Sequence, residues 1–350
     1  MSRFFSDKYA SLTPYTPGEQ PQERKYVKLN TNESPFPPSP YAQKMARTEA
    51  GDLQLYSDPT CRKLVAAAAE KLGVGEDEIL FTNGSDEILN FAFMAFCDES
   101  HPAVFPDVTY GFYSVFADLN HVPYEAKPLN DDFTVNVEDY IGVGKTVFLA
   151  NPNAPTGIAL PLCDIERIVA SNPDNVVVID EAYVDFGAES AMPLIPKYPN
   201  LLVTQTFSKS RSLAGARLGF GAGQKELIAD LNTIKYSTNP YNVNRMTMAA
   251  GVGALCDTEY FEKNCEAIIA NRCFTVKELA RLGFEMTDSK SNFLFARHKQ
   301  KGGREIYLEL KEKGVLVRHF ETERLRDYNR ITVGSLDEMK ILISTLEEIL

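Results

Sequence analysis

The sequence lacks the features that indicate a membrane-bound, disulfide-stabilised or zinc-binding protein. No apolar run approaches the roughly 20 residues of a membrane helix, and the first residues do not form a signal peptide. The six cysteines include no Cys-x-x-Cys pair, and there are only four histidines. We therefore expect a cytoplasmic protein with no membrane partner and no metal site. The cysteines are Cys61, Cys97, Cys163, Cys256, Cys265 and Cys273, and the histidines, interpreted as structural, are His101, His121, His298 and His319.

Positive charge is also scarce. The chain has 36 Lys and Arg against 48 Asp and Glu, a formal net charge of −12. Binding nucleic acid or an anionic membrane requires a basic face, so the composition argues against both partners. Anionic ligands would have to meet local positive clusters. With so few histidines, we expect lysine, aspartate or tyrosine to transfer protons.

The sequence does contain short apolar runs that alternate with longer segments of helical period. Such an alternation predicts an α/β domain with a mostly parallel sheet. The runs are continuously apolar, as expected of strands that helices cover on both faces. Ligands bind at the carboxyl ends of such strands. The predicted strands are residues 79–82, 146–150, 176–179, 201–204 and 218–222.

The length of 350 residues and the hydrophobic content of 44% suit two domains. We predict an N-terminal arm and part of a small domain in residues 1–50, a large cofactor-binding domain in 51–244, and a small α+β domain in 245–350. Prolines in the arm disfavour regular structure over roughly the first forty residues. The last domain has helical stretches in 245–281 and short strands at 292–296, 315–317 and 331–333. Ser335 and Glu338 form a capping box before its final helix.

The segment 206–221 combines a lysine with hydroxyls and an arginine. Lys209 follows Thr206 and Ser208, and Arg217 lies eight residues further on. A lysine attacks a carbonyl only when it is uncharged, and burial or a cation such as Arg217 lowers its pKa. The hydroxyls and the guanidinium suit a phosphate dianion. Pyridoxal 5'-phosphate (PLP) carries both an aldehyde and a phosphate. The alternative is a solvated surface loop at 209–212.

A second motif, Asp180-Glu181-Ala182-Tyr183, follows a predicted buried strand. An aspartate there can hold a proton on the pyridine nitrogen of PLP, and Tyr183 can donate to the phenolate oxygen. One alternative is a helix cap, and another is the Walker-B pair of an NTPase. Gly144-Lys145-Thr146 resembles half of a phosphate loop, but Asp139 occupies the place of the first glycine and a strand follows where a helix is needed.

Two loops complete the pattern. Asn83-Gly84-Ser85-Asp86 joins the strand 79–82 to a helical pattern at 87–96, so its backbone N–H groups and Ser85 can bind a phosphate, with Asp86 as a ligand or a helix cap. The loop 151–157, held by two prolines and a glycine, can present an amide side chain to the ring. The alternative for this loop is a tight turn.

Together these residues resemble the fold-type I, class I/II PLP-dependent aminotransferases over residues 31–334, and within them the branch that acts on histidinol phosphate. The order and spacing of the motifs carry the resemblance. The motifs are Asn30-Thr31-Asn32-Glu33-Ser34-Pro35, Asp180-Glu181-Ala182-Tyr183-Val184-Asp185-Phe186, the Lys209 segment and Arg330-Ile331-Thr332-Val333-Gly334.

The resemblance implies a PLP cofactor and a role for each matching residue. Lys209 is the Schiff-base lysine and proton carrier, Asp180 the partner of the pyridine nitrogen, and Tyr183 the donor to the phenolate oxygen. The family has asparagine where this chain has Ala154, so either Asn153 substitutes for it or Tyr183 makes the phenolate contact alone. The remaining predicted cofactor contacts are Gly84, Ser85, Thr206, Ser208 and Arg217 at the phosphate, Tyr110 stacked on the ring, Tyr56 reaching the phosphate from the second subunit of a homodimer, and Asp86, for which no atom of the cofactor is assigned.

The resemblance also implies the substrates. Arg330 would bind the carboxylate of glutamate or 2-oxoglutarate in one half-reaction and the phosphate of histidinol phosphate in the other, in histidine biosynthesis. Arg318 would assist, and Tyr15 and Asn32 would line the pocket. From the residues alone, the favoured interpretation is that Arg318 is an exposed strand-end charge and Tyr15 a packing residue of the arm. The alternative functions are an aromatic amino acid aminotransferase, a phospho-amino-acid decarboxylase of the same fold, and the NTPase.

Overall fold

A twisted seven-stranded sheet organises the larger part of the molecule. The computed structural model describes residues 2–10 and 12–350. Within them the strands are β1 (Val27–Leu29), β2 (Ile79–Thr82), β3 (Ala103–Pro106), β4 (Tyr124–Lys127), β5 (Thr146–Ala150), β6 (Val177–Asp180), β7 (Leu201–Thr206), β8 (Gly219–Ala222), β9 (Phe284–Met286), β10 (Phe293–His298), β11 (Val315–His319) and β12 (Tyr328–Thr332).

Helices cover both sheets. They are α1 (Pro40–Glu49), α2 (Arg62–Leu72), α3 (Ser85–Phe96), α4 (Phe112–Asn120), α5 (Leu162–Ser171), α6 (Lys225–Thr238), α7 (Arg245–Cys256), α8 (Thr258–Arg281), α9 (Gly303–Glu312) and α10 (Leu336–Ile349). None of the helices in the described part of the chain has the length and apolar character that crossing a bilayer requires.

The large sheet has the order β2-β8-β7-β6-β5-β3-β4. Only β8 runs antiparallel to its neighbours, β7 and β2. Side chains on the central strands alternate between two apolar clusters, with Val147 and Leu149 on one face and Phe148 on the other. Burial on both faces explains why these strands are continuously apolar in sequence. The predicted α/β class with a mostly parallel sheet is confirmed.

The second sheet, in the order β1-β11-β12-β10-β9, is largely antiparallel and forms the smaller α+β part. Its strand β1 pairs with β11 in parallel, which fastens the N-terminal segment to this sheet. The expectation that prolines exclude regular structure from the first forty residues is therefore wrong at β1. Pro40 is the first residue of α1, where a missing N–H costs nothing.

Packing divides the chain near residue 257. Helix α7 contributes Ala250, Ala254 and Leu255 to the apolar cluster of the large sheet, whereas α8 contributes Cys265 and Ile268 to that of the small sheet. The division of the chain at residues 50 and 244 stays a prediction. The expected capping box at the last helix is present, with Ser335 Oγ accepting from the Glu338 N–H at 3.3 Å.

Candidate active site

Lys209 lies three residues beyond the end of β7, in a turn closed by the Leu213 N–H bond to the Phe207 oxygen at 2.9 Å. Ser210 Oγ donates to Asp185 Oδ2 at 2.5 Å, which ties this turn to the segment after β6. Ser208 and Ser210 are buried. These contacts exclude the alternative of a solvated surface loop at 209–212.

The environment of Lys209 favours its uncharged form. Its Nζ donates to the Thr31 oxygen at 3.3 Å. Burial, and next the positive charge of Arg330, lower the pKa of Lys209 to about 8, against the opposing effect of Glu33. Arg217, the cation expected from the sequence, lowers this pKa too but by less than Arg330. A lysine with such a pKa is partly unprotonated near neutral pH and can act as a nucleophile.

Asp180 is the last residue of β6 and is buried. Tyr113 Oη donates to its Oδ2 at 3.1 Å, and the Ala182 N–H donates to its Oδ1 at 3.2 Å. Burial raises the pKa of Asp180 to about 7, in spite of the Tyr113 hydrogen bond. A carboxyl group in this state gains strongly from a cationic partner, which a protonated pyridine nitrogen provides.

The neighbouring Glu181 has a different role. Its carboxylate accepts hydrogen bonds from Ser190 Oγ at 2.6 Å, the Ala191 N–H at 2.5 Å and Gln205 Nε2 at 2.8 Å. These neutral donors fasten it into the protein framework. Glu181 is therefore not available as the second carboxylate of a Walker-B pair. Thr146 begins β5 rather than a helix, so the phosphate-loop alternative lacks the required geometry as well.

Tyr183 lies beside Lys209, whose Nζ is 5.8 Å from the centre of the tyrosine ring. The ring packs edge-on against Phe293 at 5.0 Å between centroids, so its plane is fixed. Its Oη accepts a hydrogen bond from Asn32 Nδ2 at 3.0 Å. Burial raises the pKa of Tyr183, which keeps the phenol protonated and able to donate.

The N-terminus of α3 forms a cup together with Arg217. Gly84 has φ of 84°, and a Cβ there would lie 2.6 Å from Arg217 Nη2, so only glycine allows this approach. Arg217 Nη2 donates to Asp86 Oδ2 at 3.0 Å, and Tyr110 Oη donates to Asp86 Oδ1 at 2.5 Å. Asp86 thus binds two side chains of the site rather than acting as the helix cap. A Cβ at Gly219 would lie 2.4 Å from the Ser85 nitrogen, which shows how closely β8 supports this turn.

Two hydroxyls lie on the lysine side of the cup. Thr206 Oγ1 donates to Ser208 Oγ at 2.9 Å and accepts from the Ser208 N–H at 3.1 Å. The structure therefore orders both predicted phosphate ligands next to Lys209.

These residues fit PLP. The carboxyl group of Asp180 is buried without a cation in hydrogen-bond contact among the described residues, and the α3 N-terminus with Arg217 suits a phosphate. Lys209 has a carbonyl rather than a carboxylate as its hydrogen-bond partner. The ring, the phosphate and the aldehyde of PLP each have a complementary group here.

The loop at 151–157 gives a less simple result. Asn153 is buried, and its Oδ1 accepts from Thr109 Oγ1 at 2.7 Å while its Nδ2 donates to the Val108 oxygen and to Thr156 Oγ1. Its amide is therefore engaged in holding the loop, and a contact with the cofactor stays a prediction. Ala154, where the family has asparagine, is buried in the same apolar cluster as Tyr183.

Arg330 lies on the small-sheet side of the site. It is paired with Arg318 across β12 and β11, and its guanidinium lies 5.4 Å from the centre of the Phe293 ring. Its Nη2 donates to the Asn30 oxygen at 3.2 Å, and its buried Nε has no hydrogen-bond partner among the described residues. Burial lowers its pKa. A buried arginine with an unpaired donor is suited to bind an anion.

The other predicted substrate residues contact the arm or the framework. Arg318 donates to the Thr16 and Pro17 oxygens at 3.2 Å. Tyr15 stacks on Phe112 at 4.3 Å between ring centroids. Tyr56, which was predicted to contact the cofactor phosphate, is 83% exposed and stacks on Tyr241 at 4.6 Å, so that contact depends on a second subunit.

Three contributors to the site were not predicted from the sequence. Tyr113 binds Asp180, Thr31 accepts from Lys209, and Thr332 binds Asn32. The sequence could have predicted Thr332, because it lies two residues after Arg330 on a strand and therefore on the same face of the sheet. Nothing in the local sequence distinguishes the backbone oxygen of Thr31.

Comparisons with known proteins show what the chain as a whole is similar to. A model of the family described as "Aminotransferase class I and II" matches residues 24–346. A protein of Brachyspira hyodysenteriae named histidinol-phosphate aminotransferase is 48% identical, with 100% of this chain and 99% of the relative aligned. A Marinomonas protein of the same name is also 48% identical, with 99% of each chain aligned.

Solved structures give the same picture. The histidinol-phosphate aminotransferase of Sinorhizobium meliloti in complex with pyridoxal-5'-phosphate superposes with a TM-score of 0.90 at 25% identity, covering 100% of this chain and 98% of that one. An aspartate aminotransferase variant of Thermus thermophilus, at 19% identity and a TM-score of 0.83 over 100% of both chains, shows the shared fold.

Proposed function

The chain belongs to the class I and II aminotransferases, and from this membership we propose that it catalyses PLP-dependent transamination between histidinol phosphate and 2-oxoglutarate. The products are imidazole-acetol phosphate and glutamate, a reaction of histidine biosynthesis. Full-length relatives that are 46–48% identical and bear the name histidinol-phosphate aminotransferase support this substrate. The aromatic aminotransferase, the decarboxylase and the NTPase are not favoured.

One observation carries the proposal. Lys209 Nζ lies 5.8 Å from the centre of the Tyr183 ring, which packs edge-on against Phe293. The Arg330 guanidinium lies 5.4 Å from the centre of the same Phe293 ring, and the charge of Arg330 lowers the pKa of Lys209. A nucleophilic amine and an anion-binding guanidinium therefore face one space. Arg330 makes no ion pair among the described residues, so a carboxylate or a phosphate of the substrate can take that place.

Each residue then has a defined task. When bound, PLP supplies an electron sink that stabilises negative charge at the substrate's α carbon. Lys209 Nζ carries the proton between that carbon and the cofactor. Asp180 keeps the pyridine nitrogen protonated, and Tyr183 donates to the phenolate oxygen. The α3 N-terminus, Ser208 and Arg217 hold the phosphate.

Two anions of different shape must enter one pocket. A forked guanidinium binds both carboxylate and phosphate in a bidentate manner, which a lysine cannot do. Arg330 meets this requirement because its guanidinium lies against the Phe293 ring and donates to the backbone oxygen of Asn30 in the N-terminal segment. We propose that glutamate and histidinol phosphate bind here in turn.

We also propose a cytoplasmic homodimer. Leu53, Leu55 and Tyr56 are 58%, 58% and 83% exposed in a single chain, and Tyr241 stacks on Tyr56. A second subunit that covers these side chains would bring Tyr56 to the phosphate of its partner. Light scattering of the PLP-loaded protein tests this, and a monomer with full activity would refute it.

Single-turnover half-reactions test the substrate. The PLP-loaded protein should have a visible absorption band that disappears on borohydride reduction, with label on Lys209. Histidinol phosphate and glutamate should each discharge that band. Phenylalanine, whose only anion is its α-carboxylate and whose side chain is apolar, should do so at least about 10²-fold more slowly, since a site that binds the polar side chains of the two substrates leaves its own polar groups unpaired against a phenyl ring. Equal rates with phenylalanine would favour the aromatic aminotransferase, and loss of carbon dioxide the decarboxylase.

A further inference from the structure

Asn32 is buried, and both ends of its side chain are engaged with protein partners. Its Oδ1 accepts from Thr332 Oγ1 at 3.0 Å, and its Nδ2 donates to Tyr183 Oη at 3.0 Å. Its backbone N–H donates to Thr332 Oγ1 at 3.0 Å, and its backbone oxygen accepts from Asn292 Nδ2 at 3.0 Å. These bonds fix the orientation of the Asn32 side chain against Tyr183.

The backbone of Asn32 supports this interpretation. Its φ is 55°, in the left-handed region that asparagine adopts more readily than most residues other than glycine. Here this conformation directs one side chain between Thr332, in the small sheet, and Tyr183, which follows the central strand of the large sheet.

The hydrogen bonds that connect Thr332, Asn32 and Tyr183 run in one direction. Thr332 Oγ1 already accepts the Asn32 N–H, so its own hydrogen is free to donate to Asn32 Oδ1. That donation places the Asn32 amide nitrogen towards Tyr183. With the amide flipped, the buried Thr332 hydroxyl would have no acceptor among its recorded contacts, and a buried unpaired donor costs about 1–3 kcal/mol.

The direction matters at Tyr183. Because its Oη accepts from Asn32, its hydrogen points elsewhere, and no protein acceptor for it occurs among the described residues. The proton of Tyr183 Oη is therefore available to a ligand at this site.

We propose that Thr332 and Asn32 are positioning residues that direct the Tyr183 proton towards the phenolate oxygen of PLP. The proposal rests on the proposed function, since it requires PLP at this site. Thr332 acts only through Asn32, and Asn32 only through Tyr183, so their removal should have no effect once the Tyr183 hydroxyl is gone.

The test is the pH dependence of the visible band of the PLP-loaded protein without substrate. A hydrogen-bond donor to the phenolate oxygen of PLP stabilises the negative charge of that oxygen. The neighbouring Schiff-base nitrogen, which Lys209 contributes, therefore loses its proton at lower pH. We expect Tyr183→Phe to raise the pH at the midpoint of the visible-band titration by about one pH unit. Thr332→Val should raise it in the same direction, Thr332→Ser should leave it near the wild-type value, and the double variant should not exceed Tyr183→Phe.

Thermal melting verifies that each variant folds. If Thr332→Val does not fold, Asn32→Gly replaces it, because glycine accepts the left-handed backbone and lacks the amide. The proposal would be overturned if Thr332→Val kept the wild-type midpoint pH while Tyr183→Phe shifted it. It would also be overturned if Thr332→Ser shifted the midpoint as much as Thr332→Val. A protein that forms no visible band would refute the proposed function and this inference together.

Discussion

The two halves of the site are built differently. The cofactor half, consisting of Lys209, Asp180, Tyr183 and Arg217, lies at the ends of large-sheet strands and at adjoining turns. The substrate half consists of Arg318 and Arg330 in the small sheet, covered by the N-terminal segment. In the first half, side-chain partners hold Asp180, Tyr183 and Arg217, including the Asp86 carboxylate bound to Arg217. In the second half, both arginines donate only to carbonyl oxygens among the described residues.

The difference indicates a division of labour. Groups that must transfer or hold a proton need a set pKa, and burial with fixed neighbours sets it. Groups that bind two different anions need charge without a built-in partner. We therefore expect changes in the cofactor half to lower kcat and changes in the substrate half to raise KM.

The largest effect should come from Lys209→Ala. Loss of the proton carrier should lower kcat by about 10⁴-fold, measured by steady-state kinetics with histidinol phosphate. The matched control is Lys235→Met, which removes another buried lysine, bonded to the Pro59 oxygen at 2.6 Å. That variant should lose thermal stability and keep its kcat. Undiminished turnover in Lys209→Ala would contradict the assignment of the cofactor half.

Asp180→Asn should come next, with kcat lower by about 10²- to 10³-fold, because a neutral amide does not hold the pyridine proton. Asp180→Glu is the control, since it keeps the charge, and should recover part of the loss. If the asparagine variant equals wild type, Asp180 does not act on the ring.

Asp180→Asn should stabilise the folded protein at high pH although it lowers kcat. The pKa of Asp180 is raised to about 7 in the folded protein without ligand. An acid with a raised pKa favours folding most below its unfolded pKa, near 4, and this contribution is lost as the pH rises through about 7. Without PLP, Asp180→Asn should therefore melt a few degrees above wild type at pH 8 and lose this advantage at pH 4. A constant difference across this range would contradict the shift.

Arg330→Gln tests the substrate half. It should raise KM for glutamate and for histidinol phosphate by about 10²-fold, the scale of losing one partner of a buried charge pair. It should also raise the pKa of Lys209 from about 8, since Arg330 is the leading charge that lowers it. The pH dependence of PLP binding to the unloaded protein measures this pKa. Arg217→Gln, the control, should raise it less.

The smallest effect should come from Arg318→Gln. Loss of its bonds to the Thr16 and Pro17 oxygens should free the arm and raise KM roughly fivefold to tenfold, with little change in kcat. Limited proteolysis of the arm should become faster at the same time. Faster proteolysis with unchanged KM would limit Arg318 to holding the arm.

The sequence was most predictive where function depends on residues next to one another along the chain. Strand, turn and helix order placed Asp180, Tyr183 and the Gly84 turn at one sheet edge, and the structure has them there. It was less predictive where partners are far apart in sequence. Arg330 lies 121 positions from Lys209 (330 − 209) yet outweighs Arg217 in lowering its pKa.

The sequence alone determined the α/β class and the family and predicted the Schiff-base lysine, because apolar period and motif spacing are local properties of the chain. Only the tertiary structure decided that Tyr113 supports Asp180, that Asn153 is engaged within its own loop, and that Thr332 reaches Tyr183 through Asn32. Hydrogen bonds depend on a few tenths of an ångström between atoms that folding brings together. No local pattern in the sequence specifies such distances.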